Sequence, residues 1–305
     1  GELRWRRPQP PQNWEGIREA KQFGPICPQE NDNVFYSKEF GDTKSEKIDE
    51  DCLYLNIWTP ATTSQDNLPV LVFIHGGGYE HGFGHRLPFD GENFAKKGCI
   101  LVTFSYRVGV FGFISHPLLD SENEKSGNYG LYDQLAALKW VQENISAFGG
   151  NPSNITMFGQ SAGAMSCQIL YESPMARGLF NKVIMQSGGG YITKIPFVKT
   201  IGCRTRQDVQ KSSDKILVES LQLKNIEEAR SVPVPKLLEV YKATTKSMML
   251  CPFPDGEIFA VSHADWEKRI LTSLQNNTPT DTQFDVIEYY RNIPVIVGCL
   301  EKEFG

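Results

Sequence analysis

The chain has 305 residues, of which 40% are hydrophobic and 22% are charged, and its formal net charge is −5. This composition is typical of a soluble globular protein with one large or two small domains. The acidic balance excludes the basic surface on which nucleic-acid-binding proteins depend, and no apolar run reaches the roughly 18 residues of a membrane-spanning helix. Gly1 leads directly into a sequence typical of the middle of a domain, so we expect a cut or processed N-terminus.

Strands and helices are predicted to alternate after an irregular arm formed by the first 50 residues, which are rich in proline, glutamine and charge. Short apolar runs predict strands, and apolar residues at helical spacing predict helices. The predicted strands are 53–58, 69–74, 99–106, 155–158, 182–186 and 293–298. The predicted helices end near 97, span 132–148, and follow Ser161. This alternation indicates βαβ units and a mostly parallel sheet with helices on both faces.

Residues 192–290 differ in character from the rest of the chain. Charged amphipathic segments such as 208–223 and 226–243 dominate it, and prolines occur at 233, 235, 252 and 254. We interpret this region as a helical insertion within one domain that spans 1–305, because the strand at 293–298 returns the chain to the sheet.

The segment Gly159-Gln160-Ser161-Ala162-Gly163 lies between an apolar strand and small residues that open a helix. This arrangement is typical of the nucleophile elbow of an α/β-hydrolase, where a strained turn lifts a serine out of the sheet. A Cβ at Gly159 or Gly163 would collide with a neighbouring strand or helix, and the helix after the turn directs its N–H groups at the same point. Ser161 is therefore the candidate nucleophile.

Three consecutive glycines, Gly76 to Gly78, come after the buried strand 69–74 and His75. Backbone N–H groups can approach a substrate oxyanion closely only where no side chain intervenes. We therefore expect the N–H groups of Gly77, Gly78 and Ala162 to form an oxyanion hole. A glycine-rich hairpin or a phosphate-binding loop is the alternative. The order of strand, glycine loop, strand, helix, strand and elbow favours the hydrolase.

At this point the chain resembles the type-B carboxylesterases, the carboxylesterase/cholinesterase family. The resemblance is dense from Trp5 to Gly190, thin in the insertion, and returns at 294–305. Gln160, which stands where cholinesterases have an acid, and the short insertion are more similar to bacterial members. That similarity favours a cytoplasmic location, and secretion stays open. The matching segments are 5–14, 50–58, 73–79, 105–109, 128–134 and 147–152.

The resemblance implies an α/β-hydrolase fold that is incomplete at its C-terminus, and acyl transfer from a small carboxylic ester through a serine ester on Ser161. The family needs no cofactor or metal, because a histidine oriented by an acid activates the serine. The acid is expected at Glu303, five residues after Gly298, with Glu301 as the alternative. None of the five histidines comes after Glu303, so we expect the catalytic histidine beyond residue 305. His263 is the alternative.

Other features carry weaker expectations. Cys27 and Cys52, two of seven cysteines, flank a polar segment. The family's loop at this position implies Cα atoms within bridging distance, roughly 4.4–6.8 Å.

Aromatic residues near the motifs suggest a pocket for a neutral, apolar ester: Tyr79, Phe83, Phe111 and Phe113. Three Asn-x-Ser/Thr sequences, at 144, 154 and 276, are interpreted as chance.

Two other functions compete with the esterase. One is a non-catalytic, cholinesterase-like interaction domain, which would typically have lost the serine or the glycines. The other is a thioesterase or transacylase that uses the same nucleophile. The oligomeric state is left open.

Overall fold

A computed structural model describes residues 1–30, 46–120, 124–188, 204–244, 250–259 and 292–298. Its centre is a six-stranded sheet in the order β1-β3-β2-β4-β5-β6. The pairings from β3 to β6 are all parallel, and β1 alone is antiparallel to its neighbour β3. The strands are β1 (Leu55–Trp58), β2 (Leu68–Ile74), β3 (Ile100–Phe104), β4 (Gly150–Gln160), β5 (Lys182–Gln186) and β6 (Val295–Gly298).

Helices lie between the strands, as the sequence predicts for βαβ units. They are α1 (Glu92–Ala95), α2 (Gly109–Phe113), α3 (Tyr129–Asn144), α4 (Ala162–Glu172), α5 (Arg206–Asp214), α6 (Ile226–Ser231) and α7 (Val234–Thr244). A π-helix, Lys215–Ser220, continues α5, and short 3₁₀ segments lie at Leu87–Phe89, Ile145–Phe148 and Pro174–Ala176. None of these described helices is long and apolar enough to cross a membrane.

The helix that the sequence places at 132–148 begins earlier, at Tyr129. Asn128, which precedes it, has a left-handed backbone with φ of 54° and is fully buried. Its side-chain amide donates to the Phe253 carbonyl (2.8 Å) and accepts from the Phe253 N–H (3.1 Å). Gly149, with φ of 80°, ends the 3₁₀ turn after the helix, because glycine adopts this conformation without steric cost.

A single contiguous apolar core joins the sheet to the helices of residues 204–244. Within the predicted insertion, residues 204–244 form α5, the π-helix, α6 and α7, which pack on the same core as the strands. The N-terminal arm has no regular helix or strand within 1–30. It is held by buried polar contacts: Arg4 donates to the Val232 carbonyl, and Trp5 Nε1 donates to the Val110 carbonyl at 2.9 Å.

A buried ion pair fixes the loop after β3 against α3. Arg107 donates from Nε and Nη2 to the two carboxylate oxygens of Asp133, at 2.8 and 2.7 Å. Burial lowers the pKa of Arg107, but the adjacent carboxylate outweighs it, so that the pKa is raised and the guanidinium stays charged. Removing one partner of such a pair leaves an uncompensated buried charge and costs about 3–5 kcal/mol of unfolding free energy.

Cys27 and Cys52 are both buried and unbridged. A hydrogen bond between the two thiols, together with burial, raises the pKa of Cys52 well above its ordinary value. The Cα separation of the two cysteines, expected within bridging distance, stays a prediction.

Candidate active site

Ser161 lies at the sharp turn between β4 and α4. Its backbone has φ of 54° and ψ of −123°, a combination that non-glycine residues rarely adopt and that stores strain. The Ser161 N–H donates to the Gln186 carbonyl of β5 at 2.9 Å, which anchors the turn to the neighbouring strand. The predicted strained turn is confirmed, and it leaves the serine side chain half-buried.

The two glycines that flank the serine are needed for close backbone approach. A Cβ added at Gly163 would lie 2.0 Å from the carbonyl oxygen of Ile74, at the end of β2. A Cβ added at Gly159 would lie 2.5 Å from the backbone of Gly163. The predicted collisions are therefore confirmed, and α4 begins in direct backbone contact with β2.

The loop of residues 75–82, here called the glycine loop, starts where β2 ends and lies against the serine turn. A Cβ added at Gly76 would lie 2.7 Å from the Gln160 carbonyl oxygen and 3.3 Å from Ser161 Cβ. The structure thus places the two predicted motifs in contact, since the carboxyl ends of the parallel strands β2 and β4 meet at one edge of the sheet.

Two peptide groups of the glycine loop are fixed through their carbonyls. His75 Nδ1 donates to the Gly76 carbonyl at 2.8 Å, and the Gly77 carbonyl accepts the N–H groups of Glu80 (3.1 Å) and His81 (3.2 Å). In a planar trans peptide the N–H of the next residue points away from that carbonyl. The N–H groups of Gly77 and Gly78 are therefore directed away from these bonds.

The three predicted donors are available to an anion. Over the ranges that the structure describes, the N–H groups of Gly77, Gly78 and Ala162 have no acceptor. Ala162 is the first residue of α4, where a helix leaves its N–H groups unpaired and where the helix dipole favours negative charge.

His75 serves the loop and is unsuited to act as a base. Its side chain is 1% exposed and stacks on Tyr106 with ring centroids 4.1 Å apart. Burial lowers the pKa of His75 to about 3, so the ring is neutral at pH 7 and Nδ1 carries the proton that it donates to Gly76. Tyr106 in turn donates its hydroxyl to the His75 carbonyl at 2.9 Å.

Two other described histidines pair with carboxylates. His85 Nε2 pairs with Glu46 (2.9 Å), and His116 Nε2 pairs with Asp214 (2.7 Å). Among the described residues, no histidine is hydrogen-bonded to Ser161. His263, Glu301 and Glu303 lie outside the described residues, so the predicted acid and the alternative base have no described position.

The aromatic residues suggested as a substrate pocket are all buried, at 0–3% exposure. Tyr79 packs edge-on against Phe113, with ring centroids 5.1 Å apart, and its carbonyl accepts the Gly109 N–H. This is the environment of packed core side chains, so the structure does not support their assignment to an open pocket wall.

A strained serine lies at a strand–helix turn, in contact with a glycine loop in which the Gly77 and Gly78 N–H groups have no acceptor among the described residues. This arrangement defines the α/β-hydrolase class of fold. The chain belongs to the carboxylesterase family, whose model matches residues 1–305.

Individual relatives are esterases. The chain is 45% identical over 191 residues to the fumonisin B1 esterase of Sphingopyxis macrogoltabida, covering 62% of this chain and 34% of that protein. It is 50% identical over 190 residues to the para-nitrobenzyl esterase of Bacillus subtilis (strain 168), covering 62% and 37%.

Solved structures agree with these sequence relationships. The carboxylesterase EST55 of Geobacillus stearothermophilus at pH 6.2 superimposes with a TM-score of 0.79 at 34% identity. The match covers 100% of this chain and 56% of that one. The chain thus spans about a third to a half of the length of these relatives.

Proposed function

We propose that this protein is a serine carboxylic-ester hydrolase that acts through an acyl-enzyme on Ser161. The observation that carries the proposal is the contact between the strained Ser161 turn and the glycine loop. A hydroxyl at that turn and three unpaired N–H groups beside it are the groups that ester cleavage requires.

In the proposed reaction the Ser161 oxygen attacks the ester carbonyl carbon while a histidine removes the hydroxyl proton. The carbonyl oxygen becomes an oxyanion, which accepts hydrogen bonds from Gly77, Gly78 and Ala162. The carbon–oxygen bond to the alcohol then breaks, and the histidine returns the proton to the leaving alcohol. Water attacks the acyl-enzyme by the same route and releases the acid and the serine. Glu303 is the proposed acid that orients the histidine.

The proposed base is a histidine beyond residue 305. His75, His85 and His116 are engaged in other hydrogen bonds. The proposed substrate class is a carboxylic ester, since both relatives are named esterases. The Ser161 hydroxyl and the three N–H groups without an acceptor argue against a non-catalytic interaction domain. Thioester hydrolysis and transacylation would use the same nucleophile.

We expect residues 1–305 alone to hydrolyse p-nitrophenyl butyrate far more slowly than the full-length polypeptide. A serine hydroxyl without a base is a weak nucleophile, although an oxyanion hole and binding leave about 10³–10⁴-fold acceleration over water. Both proteins are assayed with rates divided by the folded fraction from thermal melts. Equal rates would place the base among the five histidines present, and the His263→Ala variant would then test the alternative base.

A further inference from the structure

Gln29, in the N-terminal arm, has its side-chain amide buried against the glycine loop, and the residue is 5% exposed. Its Oε1 accepts the Gly82 N–H at 2.7 Å, and its Nε2 donates to the Gly82 carbonyl at 3.0 Å. The same Nε2 donates to the Cys27 carbonyl, also at 3.0 Å. Both amide hydrogens are used, and both backbone groups of Gly82 are held by one side chain.

Gly82 lies directly against the hydrogen bond that orients the glycine loop. Its φ is +117°, and a Cβ built on it would lie 2.4 Å from His75 Nδ1 and 2.7 Å from the Gly76 carbonyl oxygen. The backbone of Gly82 therefore packs directly against the His75 ring and the Gly76 carbonyl. A displacement of Gly82 would open the space beside these two groups.

The orientation of the Gly76 carbonyl determines that of the Gly77 N–H, because the two belong to one planar peptide. A continuous set of contacts thus leads from Gln29 through Gly82 and His75 to the Gly77 N–H. Hydrogen-bond donors stabilise a developing oxyanion only when they are already aimed at it. Gln29, although remote in sequence from the glycine loop, is therefore connected to the orientation of the Gly77 N–H.

We propose that Gln29 is a positioning residue for the oxyanion hole, holding Gly82 so that the Gly77 N–H faces the oxyanion. The inference rests on the proposed function of Ser161 and its three donors. Loss of one oxyanion donor costs about 10²–10³-fold in kcat. A tilted donor costs less than an absent one, so we expect a decrease of about 10–10²-fold when the clamp is broken.

The test uses the Gln29→Glu variant of the full-length polypeptide, which replaces the donating NH2 by oxygen at nearly constant volume. Asn128 offers a matched control, since its buried amide clamps the N–H and the carbonyl of Phe253 in the same manner. The Asn128→Asp variant makes the same chemical change. It also places a carboxylate next to Asp255, whose Oδ2 lies 2.9 Å from Asn128 Nδ2 in the wild type. Its loss of stability should therefore be at least as large.

The kcat and KM for p-nitrophenyl butyrate are measured, with kcat expressed per folded molecule. The third quantity is the dissociation constant of a trifluoromethyl ketone. This ketone forms an anionic adduct with a serine and so reports on the oxyanion hole. For Gln29→Glu we expect a lower kcat and weaker ketone binding by the same factor, with KM changed by less than about 3-fold. Asn128→Asp should lower the melting temperature and leave all three quantities near the wild type.

Unchanged kcat in Gln29→Glu, or an equal decrease in Asn128→Asp, would overturn the inference. If Gln29→Glu does not fold, Gln29→Met replaces it, and failure of both to fold would show a purely structural role. A wild-type protein without esterase activity would instead contradict the proposed function, and the inference with it. The wild-type rate alone separates these two failures.

Discussion

The Ser161→Ala variant of the full-length protein should lose ester hydrolysis by a factor on the order of 10⁶ in kcat, as expected when a catalytic nucleophile is removed. Only the acceleration that the oxyanion donors and binding provide would remain, about 10³–10⁴-fold over water. A fluorophosphonate probe, which reacts with activated serines, should label the wild type and leave Ser161→Ala unlabelled.

Ser173→Ala is the control for this experiment. Ser173 comes directly after the last residue of α4 and is buried, and its hydroxyl has no hydrogen-bond partner among the described residues. The variant should keep wild-type labelling and turnover. Labelling that survives in Ser161→Ala would assign the nucleophile to another residue.

The Gly163→Ala variant should lose both stability and activity, because its Cβ would meet the Ile74 carbonyl oxygen at 2.0 Å. Relief of this contact requires the start of α4 to move by about 1 Å or more, and a shift of that size costs roughly 10²-fold in rate. Overpacking of this kind also lowers the unfolding free energy by about 1–3 kcal/mol. Urea denaturation and kcat/KM measure the two effects.

Gly98→Ala is the matched control for the same substitution. Gly98 has φ of +79°, and a Cβ there meets no described atom within 4 Å. The control should lose about 1–2 kcal/mol through left-handed strain and keep its kcat/KM. If Gly163→Ala retained wild-type kcat/KM, the close approach of α4 to β2 would not position the serine.

Much of the sheet was predictable because buried parallel strands are short runs of apolar residues with clear boundaries. The strand at 182–186 is found at Lys182–Gln186, and the strand at 69–74 at Leu68–Ile74. The last strand is shorter than predicted, starting at Val295, after Pro294, which has no N–H to donate.

Other elements could not be read from local pattern. Helix α2, Gly109–Phe113, is short and buried on every side, so no apolar periodicity marks it. The antiparallel direction of β1 depends on its pairing with β3, a contact made across the fold. The amphipathic segment at 226–243 forms two helices, α6 and α7, because Pro233 interrupts it. Pro235 lies in the first turn of α7, where a proline is tolerated.

The residues of the site also include some that were predictable from the sequence and some that were not. Ser161 and the glycines were predictable, because a tight turn and a close backbone approach permit few residue types. Gln29 was not, since it lies 53 positions from Gly82 and a single glutamine in an irregular arm has no sequence signal. The sequence-based prediction assigned the aromatic residues near the motifs to a pocket. Proximity in sequence cannot distinguish residues that line a pocket from residues that pack in the core beneath it.

The acyl-enzyme itself is the most direct test of the proposed mechanism. The full-length protein is mixed with p-nitrophenyl butyrate, quenched with acid during turnover, digested and examined by mass spectrometry. We predict a butyryl group on the peptide that contains Ser161, absent from Ser161→Ala. Turnover at the wild-type rate with that peptide unmodified and the butyryl group on a different residue would contradict the mechanism.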